Sequence, residues 1–340
     1  MNSANLRELA PNVFGYFQPD GSWGLSNAGL ILGQPGTVLV DTLFDYLHTR
    51  RMLDAMSRVR EQNQPIDIVV NTHADGDHCY GNALLRGSRI ISSQATKQEM
   101  LAMQPNRLAS LMALAKVFNA MGSFQRPLRS LLKLLHLHGA LNLVDAAPYA
   151  LRGFANFDFR NIELELPNET FEEKLTLNLG DRVVELTKLG PTHTLGDVIA
   201  YVPDARVLFA GDILFSGSHP LVWAGSIANC ITACEKIAAL DVEVIVPGHG
   251  PVLNRAGVTE HIEYFKSLLN EVRVFIAQGI PESEAVRRLV TQGFGARSLP
   301  ERLAVNVNAA YRELEAKARS HDVIAQFAAM ARLSTAIERA

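Results

Sequence analysis

The sequence predicts an α/β fold whose chemistry is gathered at the ends of buried strands, and three observations predict it. Apolar runs of strand length alternate with amphipathic helical stretches from Val13 to about Pro251. One such run, Ile66-Asp67-Ile68-Val69-Val70, leads into Asn71-Thr72-His73-Ala74-Asp75-Gly76-Asp77-His78-Cys79, where four side chains able to bind metal fall within six residues. Three later runs end alike, in a histidine or aspartate beside glycine. Leu186–Leu189 precedes Gly190-Pro191-Thr192-His193-Thr194, Val207–Ala210 precedes Gly211-Asp212, and Val244–Val246 precedes Pro247-Gly248-His249-Gly250. Strand ends that open into loops are a common place to build a site in such folds.

A chain of 340 residues suits two domains or one large one, and we expect a single domain over 1–340. Hydrophobic residues make up 48% and charged residues 20%, enough for a substantial core and too apolar for disorder. The net charge of -3 argues against a nucleic-acid binder, which needs a basic face. Met1–Ala10 holds no apolar signal core, and no run reaches the ~18 apolar residues of a membrane span. We therefore expect a cytoplasmic protein with no membrane partner, in which the sequon Asn168-Glu169-Thr170 is a chance match. Cys79, Cys230 and Cys234 form no disulfide framework or four-cysteine zinc site, and are expected to be small core residues.

Val13–Phe17 is a strand candidate, followed by turn chemistry at Pro19-Asp20-Gly21-Ser22. Ala28–Leu32 and Thr37–Asp41 pair around Gly33-Gln34-Pro35-Gly36, and Tyr46–Glu61 is an amphipathic helix. After the cluster a short helix is expected from about Tyr80, then a strand at Arg89–Ser93. From Gln94 to about Ala150 the β pattern vanishes, and Pro105, Pro127 and Pro148 divide a helical insertion, 94–150, into two or three helices. Its apolar content exceeds one buried face, which fits ordinary or homodimer packing and also a lid over a hydrophobic substrate. Strands are expected at Ile162–Leu166, Leu175–Leu179, Asp181–Lys188, Val198–Val202, Val207–Ala210 and Val242–Val246. Ser226 caps a helix through Ala239. From about Thr259 the pattern is helical, broken at Gly279-Ile280-Pro281 and from Gly293 to Pro300, which gives a C-terminal extension over 257–340.

Taken together and in this order, His73, Asp75, Asp77, His78, His193, Asp212 and His249 make a specific constellation. The chain resembles the metallo-β-lactamase-fold superfamily, whose mark is a His-x-His-x-Asp-His loop after a strand, followed by a Gly-x-His-Thr histidine, a Gly-Asp and a Gly-His. The resemblance covers at least residues 13–253. It implies an αββα sandwich with two divalent metal ions, zinc first among them, at the sheet edges. By that resemblance His73 and His193 hold the first metal, Asp77, His78 and His249 hold the second, and Asp212 bridges them. A hydroxide between the metals would be the nucleophile. Imidazole and carboxylate donors suit zinc and also iron or manganese.

The chain departs from this pattern at Asp75, where the family has its second histidine. Residues i and i+2 of an extended loop point the same way, so Asp75 faces the site with His73. It can bind the first metal directly, as a glutamate does here in the flavodiiron branch, bind through water, or leave that site weak or empty. Two divalent ions would be balanced by three aspartates and one hydroxide. Such a near-neutral core predicts weaker Lewis acidity, an oxygen-tolerant metal preference and less need for an anionic substrate.

The segment Phe215–Trp223 follows Asp212 and is expected at the pocket rim. His219 binds substrate, relays a proton, or is a turn histidine before Pro220; Trp223 is an apolar wall or core. Trp23 is a substrate-contact candidate. Thr194 and Asp197 are expected to orient His193. His48, His136 and His138 lie on helical stretches without partners and are expected at the surface.

These readings predict a metal-dependent hydrolase that attacks a thioester, ester or lactone in a fairly apolar small substrate, either free or linked to a carrier protein or CoA, with Asp77 holding or deprotonating the water. A second expectation is an aromatic polyketide cyclase with thioesterase activity. The chain is similar to that branch in Gly21-Ser22-Trp23-Gly24-Leu25-Ser26-Asn27-Ala28-Gly29, in Asp75 and in the apolar insertion. A flavodiiron-type redox protein or a metal-free binding module fits less of the pattern.

Overall fold

Two β-sheets stack face to face in a computed structural model that describes residues 5–19, 22–62, 64–315 and 322–339. The first sheet holds β1 (Leu6–Ala10), β2 (Val13–Tyr16), β3 (Ala28–Leu32), β4 (Thr37–Val40), β5 (Ile68–Val70), β6 (Arg89–Ser93) and β7 (Glu169–Phe171), in that spatial order. β1 to β4 form an antiparallel meander, and β4 to β7 run parallel. Between them lie α1 (Tyr46–Met56), α2 (Gly76–Cys79), α3 (Gln94–Ala102), α4 (Pro105–Ala120), α5 (Gln125–Leu134) and α6 (His138–Phe154). The second sheet has the order β12-β11-β10-β9-β8, from β8 (Lys174–Asn178), β9 (Val183–Lys188), β10 (Val198–Val202), β11 (Val207–Phe215) and β12 (Val244–His249). α7 (Ile227–Ala238) carries the parallel crossover from β11 to β12. α8 (Arg255–Ala277), α9 (Glu282–Thr291), α10 (Leu303–Glu315) and α11 (Val323–Ile337) complete the chain.

The layering follows from the two-residue period of strands that are apolar on both faces. In β4, Val38 and Val40 enter the core between the sheets while Leu39 packs toward α1 with Met52 and Met56. β5 divides likewise, Ile68 and Val70 from Val69. In β10, Val198, Ala200 and Val202 face the first sheet, whereas Ile199 and Tyr201 join the core built with α7 and α8. The result is the αββα sandwich, extended by helices at the C-terminus.

Several elements differ from expectation. Ile162–Leu166 is no strand. Its alternating Ile162, Leu164 and Leu166 pack on the patch containing Phe44 and Phe159, so their period is satisfied by side-chain burial and not by a ladder; the strand beside β6 is β7. The helical insertion has four helices and ends at Phe154. Pro105 opens α4, Pro127 lies in the first turn of α5 where no N–H is needed, and Pro148 sits inside α6. The chain instead turns at Gly122 and His136, both at positive φ. The helix expected from Tyr80 begins at Gly76, within the cluster. β11 continues through Asp212 and β12 through His249, so both residues lie on strands and not beyond them. α1 stops at Met56, and α8 starts at Arg255 behind the cap Asn254. Asp20 and Gly21 of the expected turn, and residues 1–4, lie outside the described residues. No helix among the described residues is long and apolar enough to cross a membrane.

Close sheet stacking depends on Gly29. A Cβ there would stand 2.2 Å from the Phe209 ring of the opposite sheet. Gly29→Ala should lower stability by about 1–3 kcal/mol through overpacking. Combined with Phe209→Leu, it should cost less than the two changes summed, because the smaller side chain makes room. Urea midpoints of the four proteins in the cycle measure the coupling.

Candidate metal centre

The loop after β5, the loop after β9, the irregular half of β11 and the end of β12 meet at one edge of the sandwich. In β11 the pairing with β12 shifts register on both sides of Gly211, whose φ is +53°. That conformation suits glycine, and it sets Asp212 between the sheets. Gly248 gives the room: a Cβ there would stand 1.8 Å from Asp212 Oδ1.

The structure brings all seven predicted ligand candidates together. Ligand atoms of His73, Asp75, His193 and Asp212 lie within 4.8 Å of one another, and those of Asp77, His78 and His249 form a second such group. Asp212 stands between the groups. Its Oδ2 is 3.3 Å from His193 Nε2 and 3.9 Å from His73 Nε2; its Oδ1 is 3.2 Å from His78 Nε2, and Oδ2 is 3.5 Å from His249 Nε2. Asp77 Oδ2 is 3.3 Å from His249 Nε2. Asp75 occupies the N-cap position of α2 but its side chain does not cap. It turns to the site, with Oδ2 3.0 Å from His193 Nε2 and 4.0 Å from His73 Nε2.

The hydrogen bonds behind these rings fix which nitrogen faces the centre. The Thr72 hydroxyl donates to Asp41 Oδ2 at 2.7 Å, so its oxygen accepts from His73 Nδ1 at 2.9 Å. His78 Nδ1 donates to Asp41 Oδ2 at 2.8 Å, and His193 Nδ1 donates to the Leu221 carbonyl at 2.9 Å. Each ring thus turns an Nε2 lone pair inward. His73 Nε2, His78 Nε2 and Asp212 Oδ1 are buried without a hydrogen-bond partner. Inward lone pairs facing carboxylate oxygens require cations between them, either protons or metal ions. Burial opposes charge on His193, yet Asp212 and Asp75 outweigh it and push its pKa up to about 10. Burial likewise opposes charge on Asp212, but His249, His78, His193 and His73 hold its carboxyl well below the usual range. A divalent cation meets this demand, and the nitrogen–oxygen donor set fits one in each group.

Asp41, which supports two of the rings, was legible in the sequence only as the end of a strand. It sits at φ +63°, and besides Thr72 and His78 its Oδ1 accepts the Thr72 N–H at 2.7 Å. The one available signal was an aspartate closing a largely apolar strand. Ser26 and Asn27 were also unassigned. The Ser26 hydroxyl donates to the Asp77 carbonyl, and the Asn27 amide donates to the carbonyls of Pro247 and Gly250, steadying the turn around His249. Asp197 accepts from the N–H and hydroxyl groups of Thr192 and Thr194, so these residues brace the loop carrying His193, whose ring is oriented by Leu221.

A cavity of about 220 Å³ opens on the cluster. Asp75, Asp77, His193, Asp212 and His249 line it at the cluster, and Trp23, Phe44, Phe154, Trp223 and Phe327 wall it with rings. An adjoining apolar cavity of about 140 Å³ shares Leu108, Phe154, Val323 and Phe327 with it. Helices before β7 and helices after β12 thus close the same space. Trp23 and Trp223 both belong to the wall, with ring centroids 6.4 Å apart. His219 does not. It is fully buried, its Nδ1 lies 2.9 Å from the Tyr264 hydroxyl, and its Nε2 donates to the Phe294 carbonyl at 2.8 Å. Burial pushes its pKa down to about 4, and the side chain does not reach the cavity, unlike the rim position expected for it. His48 is held by Asp45, while His136 and His138 are exposed. Cys79, Cys230 and Cys234 are buried and free.

The profile of the metallo-beta-lactamase superfamily matches residues 21–249. The chain belongs to this superfamily. Its β-lactamase-fold core therefore runs from the early meander to the end of β12. An acyl-coenzyme A thioesterase, MBLAC2, of Homo sapiens is 29% identical over 89 residues, 24% of this chain and 31% of that protein. A hydroxyacylglutathione hydrolase of Brucella ovis is 34% identical over 82 residues, 24% of this chain and 32% of that one. The matched stretches thus span about a third of these relatives' length. The sec-alkylsulfatase Pisa1 from Pseudomonas sp. superposes on 92% of this chain, and on 50% of its own, with a TM-score of 0.65 at 16% identity. A metallo-beta-lactamase from Pontibacter korlensis covers 77% of this chain and 98% of its own with a TM-score of 0.51, also at 16% identity. At that identity the likeness concerns the fold.

Two outcomes are expected. Asp41→Asn can present an N–H to His78 Nδ1 and reverse its tautomer, so zinc affinity should fall about 10- to 100-fold in competition with a chromogenic chelator. Glu99, beside the cavity, accepts the Leu195 N–H, and burial pushes its pKa from 4.5 up to about 7. The folded chain then keeps a proton that the unfolded chain has lost, so stability falls as pH rises from 4.5 to about 7. Glu99→Gln should remove this loss and gain about 1–3 kcal/mol over the parent at pH ~8, with no gain at pH ~4, in urea titrations.

Proposed function

We propose that the protein is a metal-dependent hydrolase cleaving a thioester, or a related ester or lactone, in a substrate with an extended apolar portion. The observation that carries this reading is a ready set of inward Nε2 and carboxylate donors at the end of a ring-lined cavity that continues into a second apolar one. Divalent ions held there supply Lewis acidity for a carbonyl oxygen and acidify water. His73, Asp75 and His193 would hold one ion and Asp77, His78 and His249 the other, with Asp212 placed beside both groups. Asp77, which lines the cavity, would hold or deprotonate the attacking water. Trp23, Phe154, Trp223 and Phe327 exclude bulk water and seat the apolar chain. The names of the thioesterase and the hydroxyacylglutathione hydrolase agree with an acyl bond to a thiol carrier, whether coenzyme A or a carrier protein.

A second reading, aldol ring closure of a poly-β-ketone, is favoured by the aromatic character of the same wall. One panel separates them. Metal-loaded protein should hydrolyse long-chain acyl thioesters faster than short ones, lose activity to a chelator and regain it with zinc, manganese or iron. Asp75→His should change the amount or identity of the metal that copurifies. Turnover indifferent to chelation sinks the metal-dependent reading. Ring closure with no thioester turnover replaces hydrolysis by cyclisation, and unchanged metal content in Asp75→His removes Asp75 from the ligand set.

A further inference from the structure

Arg302 has no place in the chemistry so far. It is 1% exposed, yet it forms part of the cavity wall. Its Nη1 donates to Ser218 Oγ at 3.2 Å and to the His219 carbonyl at 3.1 Å, which anchors one side of the guanidinium. The Trp23 ring centroid lies 4.5 Å from Cζ and that of Phe215 5.3 Å, so aromatic faces confine the plane. Nε is buried without a partner. Nε–H and one Nη2–H run parallel along one edge, the fork that fits two oxygens of an oxyanion. Arg302 makes no ion pair with a described carboxylate; Tyr149, Asp212, Glu301 and Asp77 act on it only at longer range. Cations held by Asp77 and Asp212 would offset their share of that attraction, which leaves Glu301, whose Oε1 already accepts the Tyr149 hydroxyl at 2.9 Å. A desolvated guanidinium thus lies beside the cluster with no directly paired carboxylate and with Nε unpartnered, an arrangement that a bound anion would complete.

We propose that Arg302 is a binding residue for an anionic group with two free oxygens, a carboxylate, sulfonate or sulfate, carried by the substrate beside its apolar chain. This rests on the reading of the cavity as the substrate site. It also reverses the expectation, drawn from Asp75, of less need for an anionic substrate: a side chain, and not surplus metal charge, recognises the anion. The same contacts explain the segment after β11. Ser218 and the His219 carbonyl serve the guanidinium, and the buried His219 ring fixes that carbonyl.

The test is calorimetric binding of octanol, octanoate and octanesulfonate to zinc-loaded protein. None of these is hydrolysed, so the outcome is independent of the thioester panel. Metal ions can capture octanoate, but a sulfonate is a far poorer metal ligand, so preference for octanesulfonate over octanol reads Arg302. The parent should prefer it by about ten- to a hundredfold, Arg302→Met should erase the preference, and Arg302→Lys should keep part of it. A parent preference below about twofold, or one retained in a folded Arg302→Met, overturns the proposal. Should Arg302→Met not fold, a crystal structure of the parent with octanesulfonate decides. Sulfonate oxygens within hydrogen-bond distance of Nε and Nη2 support the assignment, and a sulfonate seated elsewhere overturns it.

Discussion

The organising constraint is a buried carboxylate, Asp212, set among four imidazoles whose Nε2 atoms lie 3.2–3.9 Å from its oxygens. Water is excluded from most of this cluster, so its charges must be balanced within a few ångströms. That requirement reaches into the backbone. Gly211 takes a positive φ and Gly248 leaves out a side chain so that Asp212 can occupy the gap between strands. It also reaches the layer behind, where Asp41 and Leu221 take the outer ring protons and leave lone pairs inward.

The same constraint separates what is held rigid from what is shaped. The cluster rests on strands and on turns braced by Ser26, Asn27 and Asp197, elements whose geometry is fixed by sheet pairing and side-chain hydrogen bonds. The cavity above it is walled by residues of the insertion and the C-terminal extension, such as Phe154 and Phe327, which meet where α6 packs against α11. The candidate ligands and most of the cavity wall thereby come from different parts of the chain. Substitutions in the helices can reshape the apolar space while leaving the metal-binding geometry intact.

Arg302 joins the two parts. It comes from the extension, packs on Trp23 from the meander, and holds the segment that follows β11. A cation at this position gives an apolar cavity polarity along its length, with oily walls at one end and charge beside the cluster at the other.

Local chemistry made much of this legible in advance. Apolar runs marked the strands, because buried strands need little else, and residues able to bind metal stood out because they recur together and in order at the ends of those runs. Thus His73, Asp75, Asp77, His78, His193, Asp212 and His249 are all legible in the sequence, and the fold gathers them into two adjoining groups. The misread elements share a cause. Ile162–Leu166 alternates like a strand but has no neighbour to pair with, and Pro148 lies within a helix held by packing against α11. The sequence by itself determined most of the core strands and the order of the cluster residues, which follow from local pattern and spacing, while the sandwich was implied by the resemblance those motifs carry. Only the tertiary structure decided that Asp41 sets the tautomers, that His219 is locked in the core, and that Arg302 faces the cavity. Those roles depend on partners tens to hundreds of residues away, and burial gives such partners their strength without leaving a local pattern.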